Sequence, residues 1–288
     1  MDSVKLICPD NPQLLDRFRG HVLAVRVKSS GGVAHAAHLV RMRNELLCVI
    51  LDTEVPLDRI DNMDEWKGIP VALMAPSFGK FRNISRKLEL MRNMNLRVYL
   101  TCEKENLTGA MMLASVGVPC CITFDGGESP DWEALSDLMT YAVLGRAPRA
   151  NIEPFNYIAE NFNPQARAEW GRVNFEDPVQ YLHLDSMGRV ALSRRELLAG
   201  NFMAQNIDEA KRVEGLKLIE ERLQKWREFF LTNHFCSQCE AWRVCVGRFA
   251  GDKKASDGCS AFFSEMMTVA KQYQDNQRVL REDIKWQP

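Results

Sequence analysis

The chain lacks any run of about 18 apolar residues, so it offers no candidate transmembrane helix. It also lacks a charge bias. Its 37 Lys and Arg against 38 Asp and Glu leave a formal charge of -1, which gives no basic footprint for nucleic acid or an anionic membrane surface. There is no internal repeat and no low-complexity segment. The opening MDSVKLICPDNPQLL has no basic stretch followed by an apolar one, so no signal peptide is expected. Histidine is scarce at five residues. His35 and His38 stand three apart, but nothing nearby supplies a third metal ligand, and an ordinary polar helix face is the expectation. Cysteine is not scarce. Nine thiols, an odd number with no export signal, point to a reducing cytoplasm.

What is present is a chain of 288 residues, 46% apolar and 26% charged, ordinary for a globular protein with room for one large or two modest domains. Strand patterns fall at residues 21–27, 46–51, 69–75, 96–100, 118–127 and 149–155. Helical patterns fall between them at Val33–Met42, residues 82–95, Asn106 to Val116, and from an Asp131 cap to about Leu144. Strands alternating with helices predict βαβ units and a parallel sheet, hence an α/β fold. Residues 156–180 read as a connector. Beyond it, Ile207–Leu231 and residues 262–283 read as amphipathic helices.

The stretch from Cys236 to Cys259 carries the densest chemistry. Cys236, Cys239, Cys245 and Cys259 are spaced Cys-x2-Cys-x5-Cys-x13-Cys, the ligand set of a structural zinc or of an iron–sulfur cluster. Free cysteines do pack as small hydrophobes. The intervening Trp242, Arg243, Asp252, Lys253, Lys254 and Asp257 nevertheless make this stretch too polar to bury four thiols for packing alone. Zinc sites usually come as two short knuckles, whereas one Cys-x2-Cys pair with uneven gaps suits a cubane. Iron–sulfur is therefore the first expectation, with zinc as the alternative. Cys120 and Cys121 are adjacent on a strand, point to opposite faces and cannot ligate one metal together.

The Cys236-x2-Cys239-x5-Cys245 run with its late Cys259 resembles the C-terminal part of the SPASM domain of radical SAM peptide-modifying enzymes, and YLHLDSMGRVALSRRELLAGNF at 181–202 resembles that domain's opening β-hairpin. The resemblance is close over residues 178–264 and holds elsewhere in outline. It implies a degenerate radical SAM-like partial (βα) barrel over residues 1–160, followed by a small SPASM-like α+β metal-cluster domain over residues 161–288. In that family seven cysteines hold two auxiliary [4Fe–4S] clusters. Here Ser193 and Phe249 stand at two of the cysteine positions of the first cluster, while the four cysteines match the ligands of the second. The resemblance thus implies one [4Fe–4S] cluster and no room for another. The family's Cys-x3-Cys-x2-Cys loop is missing. Cys8, Cys48, Cys102, Cys120 and Cys121 do not have its spacing, and Lys28-Ser29-Ser30-Gly31-Gly32 occupies the place after the first strand pattern. Cleavage of S-adenosylmethionine is therefore not expected.

Three functions follow as expectations. The first is an accessory protein that binds a protein or peptide partner, for which an active radical SAM enzyme is one candidate, with no nucleic acid and no membrane involved. The second is an electron conduit through the cluster. The third is an independent enzyme using Asp125, Glu128 and Glu153 as acid–base groups at the strand ends. Against the third, Asp125-Gly126-Gly127 is ordinary turn chemistry. A redox-silent zinc scaffold is a further form of the first.

Overall fold

The computed structural model describes residues 4–124, 130–177, 179–212, 235–247, 249 and 253–285. In chain order its strands are β1 (Lys5–Pro9), β2 (Val22–Val27), β3 (Glu45–Asp52), β4 (Val71–Met74), β5 (Leu96–Thr101), β6 (Cys120–Thr123), β7 (Ile152–Glu153), β8 (Tyr181–Leu184) and β9 (Val190–Ala191). The helices are α1 (Pro12–Arg17), α2 (Gly32–Arg41), α3 (Phe81–Ile84), α4 (Leu88–Arg92), α5 (Lys104–Ser115), α6 (Trp132–Leu144), α7 (Phe155–Asn161), α8 (Arg194–Leu198), α9 (Ile207–Arg212), α10 (Trp242–Cys245) and α11 (Lys253–Lys285). Among the described residues the strands form one nine-stranded, mostly parallel sheet in the order β7-β6-β5-β4-β3-β2-β1-β8-β9, flanked by helices, an α/β fold. None of the described helices is long and apolar enough to cross a membrane.

The chain divides into two compact units, each made of two segments: Met1–Tyr99 with Gly171–Glu228, and Leu100–Trp170 with Phe229–Pro288. In the first unit, Leu23, Val25, Val27, Val49, Leu51, Val71 and Leu73 alternate onto one face of the sheet and are all buried. Helix α2 packs on β2 and β3 through Val33, Ala36, Ala37 and Val40. Burying side chains of this size contributes roughly 1.5–3 kcal/mol each, so this layer is the unit's main core. In the second unit α6, α7 and α11 pack together. Asp131 caps α6 by accepting the Ala134 N–H at 3.0 Å, as its position before the apolar run predicts.

Several elements differ from the sequence reading. Residues 5–9 form a strand between β2 and β8, although the neighbouring Pro-Asp-Asn-Pro makes the region read as loose. The single helix predicted over residues 82–95 is two short ones. Its middle is diverted because the Ser85 hydroxyl donates to the Arg82 carbonyl and Lys87 turns inward onto the carbonyls of Asp58 and Ile60. The strand expected at 149–155 is limited to β7, and the expected connector at 156–180 contains most of α7 and the fully buried Trp170. The hairpin expected within 181–202 is present as β8 and β9. Of the helix expected over Ile207–Leu231, α9 is the described part, and residues 213–231 lie outside the described residues.

Candidate metal centre

The four cysteines lie in the second unit, and three local features position them. Cys236 sits in a 3-10 turn, Phe235–Gln238. Cys239 follows at once, its N–H donating to the Cys236 carbonyl and its own carbonyl accepting from Trp242 N–H, both at 3.2 Å. These back-to-back turns let two thiols approach one point, which is what a Cys-x2-Cys pair provides. Cys245 ends α10. The chain then reverses through two left-handed residues, Val246 at φ 51° and Gly247 at φ 70°. Cys259 is not in a loop. It lies on α11, on the same buried stripe as Phe262, Phe263 and Met266.

The thiols act on one another. Cys259 shares a hydrogen bond with Cys245, which raises its pKa, and burial and the proximity of Cys245, Cys236 and Cys239 raise it further. Cys236 is raised by burial first and then by Cys245 and Cys239. Thiols raised by their neighbours, as Cys236 and Cys259 are, are donors that a cation stabilises, because a metal reverses the sign of the local field. In donor chemistry the four thiols suit a thiolate-bound metal or cluster. Among the described residues no three His, Cys, Asp or Glu side chains are arranged around a single point, and Cys245 and Cys259 are hydrogen-bonded to each other. Cys236, Cys245 and Cys259 are buried, while Cys239 is half-buried with its sulfur 3.5 Å from the Ser260 hydroxyl.

The loop is strapped from outside by residues 164–170. Trp170 donates its indole N–H to the Val244 carbonyl at 2.7 Å, Ala168 N–H donates to the Arg243 carbonyl at 2.9 Å, and the Arg243 guanidinium donates to the Pro164 carbonyl. Phe249 stands edge-on to Phe124 at 5.5 Å and to Trp132 at 5.1 Å, with Phe263 at 6.0 Å. It is an aromatic core residue. Ser193, in the first unit, caps α8: its hydroxyl accepts the Glu196 N–H at 3.2 Å, and the Glu196 carboxylate accepts the Leu192 N–H. The Ser-x-x-Glu spacing was the available signal for this capping box.

No protein-family model, no curated protein and no solved structure matches this chain.

The remaining expected residues fall as follows. Cys8, Cys48, Cys102, Cys120 and Cys121 are buried, and burial pushes the Cys8 and Cys48 thiols up to about 12, as for inert core thiols. His35 and His38 are exposed on α2. Glu153 is buried and accepts the Tyr157 N–H at 2.8 Å, capping the start of α7. Asp125 and Glu128 lie outside the described residues.

The first unit holds a polar cluster that the sequence reading missed. Registered partners on parallel strands share a face, so Arg26, Asp52, Met74, Tyr99 and His183 all project opposite to the apolar layer. Asp52 accepts from Arg194 at 2.6 Å and from Lys28 at 3.0 Å. Arg26 donates to His183 Nδ1 at 3.1 Å, and His183 Nε2 donates to the Phe175 carbonyl at 2.9 Å, which fixes the neutral Nε2–H tautomer. Phe175 takes a left-handed φ of 65°, a costly conformation for an aromatic residue, to present that carbonyl.

Proposed function

We propose that this protein is an accessory iron–sulfur protein, built like a radical SAM enzyme with a C-terminal SPASM domain but without the catalytic cluster. It carries one [4Fe–4S] cluster on Cys236, Cys239, Cys245 and Cys259 and binds a protein or peptide partner. The observation that carries this reading is that the four thiols lie in one unit, with Cys245 hydrogen-bonded to Cys259 and with Cys236 and Cys259 each raised by the neighbouring thiols. The sequential parallel order of β1 to β7 supports the partial (βα) barrel, because each strand adds beside its predecessor through a helix or turn. When bound, a cluster of this kind supplies a redox-capable, thiolate-held group. The chain's own part is to hold four sulfurs, exclude water with the Phe262, Phe263 and Met266 stripe, and leave Cys239 at the surface.

That half-exposed Cys239, beside three buried partners, favours the electron conduit as the second reading. The acid–base reading is weaker, since Glu153 is engaged in capping α7. Purification without oxygen, followed by iron, sulfide and zinc analysis and by spin resonance after reduction, tests the proposal. About four iron and about four sulfide per chain are expected, falling sharply in Cys239→Ala and unchanged in Cys120→Ala. Iron near eight, or one zinc without sulfide, or a Cys239→Ala protein with full metal content, overturns it.

A further inference from the structure

The polar cluster of the first unit has chemistry that the metal centre does not use. Arg26 and Lys28 alternate onto one face at the carboxyl end of β2, Asp52 ends β3, Met74 ends β4, and Arg194 reaches over from α8 to Asp52 and the Met74 sulfur. Ligands of open α/β sheets sit at the carboxyl ends of the strands, where loops and helix starts can surround them. The cluster opens to solvent on one side. The Lys28 side chain is 73% exposed and Arg194 31%, while Asp52 is 10%.

The charges do not balance. Arg26, Lys28 and Arg194 supply three positive charges. Asp52, held by two of them, and Glu176, which attracts Arg26, supply two negative ones. Arg26 and Arg194 oppose one another directly. His183 offers no compensation, because it is neutral and already accepts from Arg26. Two donors are also left over: the buried Nε–H groups of Arg26 and Arg194 have no acceptor among the described residues. A network whose sole purpose was to dock α8 on the sheet would have its donors satisfied. An oxyanion supplies both what the cluster lacks in charge and what it lacks in acceptors. Guanidinium groups are suited to it because they present parallel N–H donors to two oxygens at once.

We propose that this face binds a small oxyanion, a carboxylate or a phosphate, between Arg26 and Arg194, with Lys28 at the entrance. Entry is by movement of the partly exposed Arg194 side chain away from Asp52. The site is separate from the cysteines, so it stands whichever metal they hold.

The test is thermal unfolding of the full, anaerobically purified chain with inorganic phosphate or sodium acetate against sodium chloride at equal ionic strength. The expected result is a saturable rise in Tm, with an apparent affinity about tenfold weaker in Arg194→Gln and in Lys28→Gln. A rise with phosphate alone identifies a phosphorylated ligand, a rise with acetate alone a carboxylate, and a rise with both an oxyanion site that does not discriminate between them. Arg26→Gln removes the partner of His183 and can fail to fold, so the two more exposed variants decide. The proposal is overturned if the wild-type chain responds to phosphate and acetate only as it does to chloride. It is equally overturned if both variants keep the full response.

Discussion

His183 shows how one side chain can tie a sheet together and set a pH limit on it. Burial lowers its pKa most, the hydrogen bond to Phe175 opposes that, and repulsion by Arg26 and Arg194 lowers it further, to about 4. An unfolded histidine titrates near 6.5, so between about 6.5 and 4 the unfolded chain binds more protons than the folded one. Stability contributed by the neutral imidazole is therefore full above pH 6.5 and lost as pH falls toward 4, by roughly 3 kcal/mol at most. Urea unfolding at pH 7 and pH 4.5 should show this loss in the wild-type chain and a much smaller one in His183→Asn; equal losses would contradict the assignment. Gly258 sits beside Cys259 on α11, where alanine would ordinarily stabilise a helix by about 1 kcal/mol. Here a Cβ would overlap the Trp132 indole, so Gly258→Ala should lower the urea midpoint instead of raising it.

Caps and crossovers show which parts of the fold are written locally. Ser193 begins α8 with a capping box, so Ser193→Ala should cost about 1 kcal/mol in urea unfolding while leaving bound metal unchanged. Loss of metal in that variant would make Ser193 a ligand instead. Strands β2 to β5, helix α6 with its Asp131 cap and the β8–β9 hairpin were legible because their signals lie within a few residues. Strand β1 was not, since its short apolar run is cut off by Pro9 and takes its place only through pairing with β2 and β8. The break between α3 and α4 was hidden because it depends on Lys87 reaching carbonyls of Asp58 and Ile60, far off in the chain. The cysteine spacing said nothing of the helical setting of Cys259, which belongs to a helix that begins before it and runs far beyond it. The Arg26, Asp52, His183 and Arg194 cluster was illegible for the same reason as β1. Its members come from β2, β3, β8 and α8, and only the sheet register brings them together.

At the scale of the molecule, the two proposed sites fall in different units. All four cysteines, with the Trp170 and Arg243 strap and the Phe124, Trp132, Phe249 and Phe263 cluster, belong to the second; the guanidinium face, with Phe175 and α8, belongs to the first. A group bound only by the folded form stabilises the segments that contact it. Hydrogen exchange should therefore separate the two sites. If the cysteines hold a metal as proposed, stripping it under anaerobic conditions should speed amide exchange at residues 235–247 and through the turn of α11 that carries Cys259. Amides of β1 to β4, locked in ladder hydrogen bonds over an apolar layer, should keep their protection. Saturating phosphate or acetate should do the converse, slowing exchange around residues 173–176 and α8 and leaving the cysteine turns unchanged. If metal removal loosened β1 to β4 as much as the turns around Cys236, the metal would be sustaining the whole fold. The metal would then be coupled to the first unit as well as the second, and the independence of the two proposed sites would fail with it.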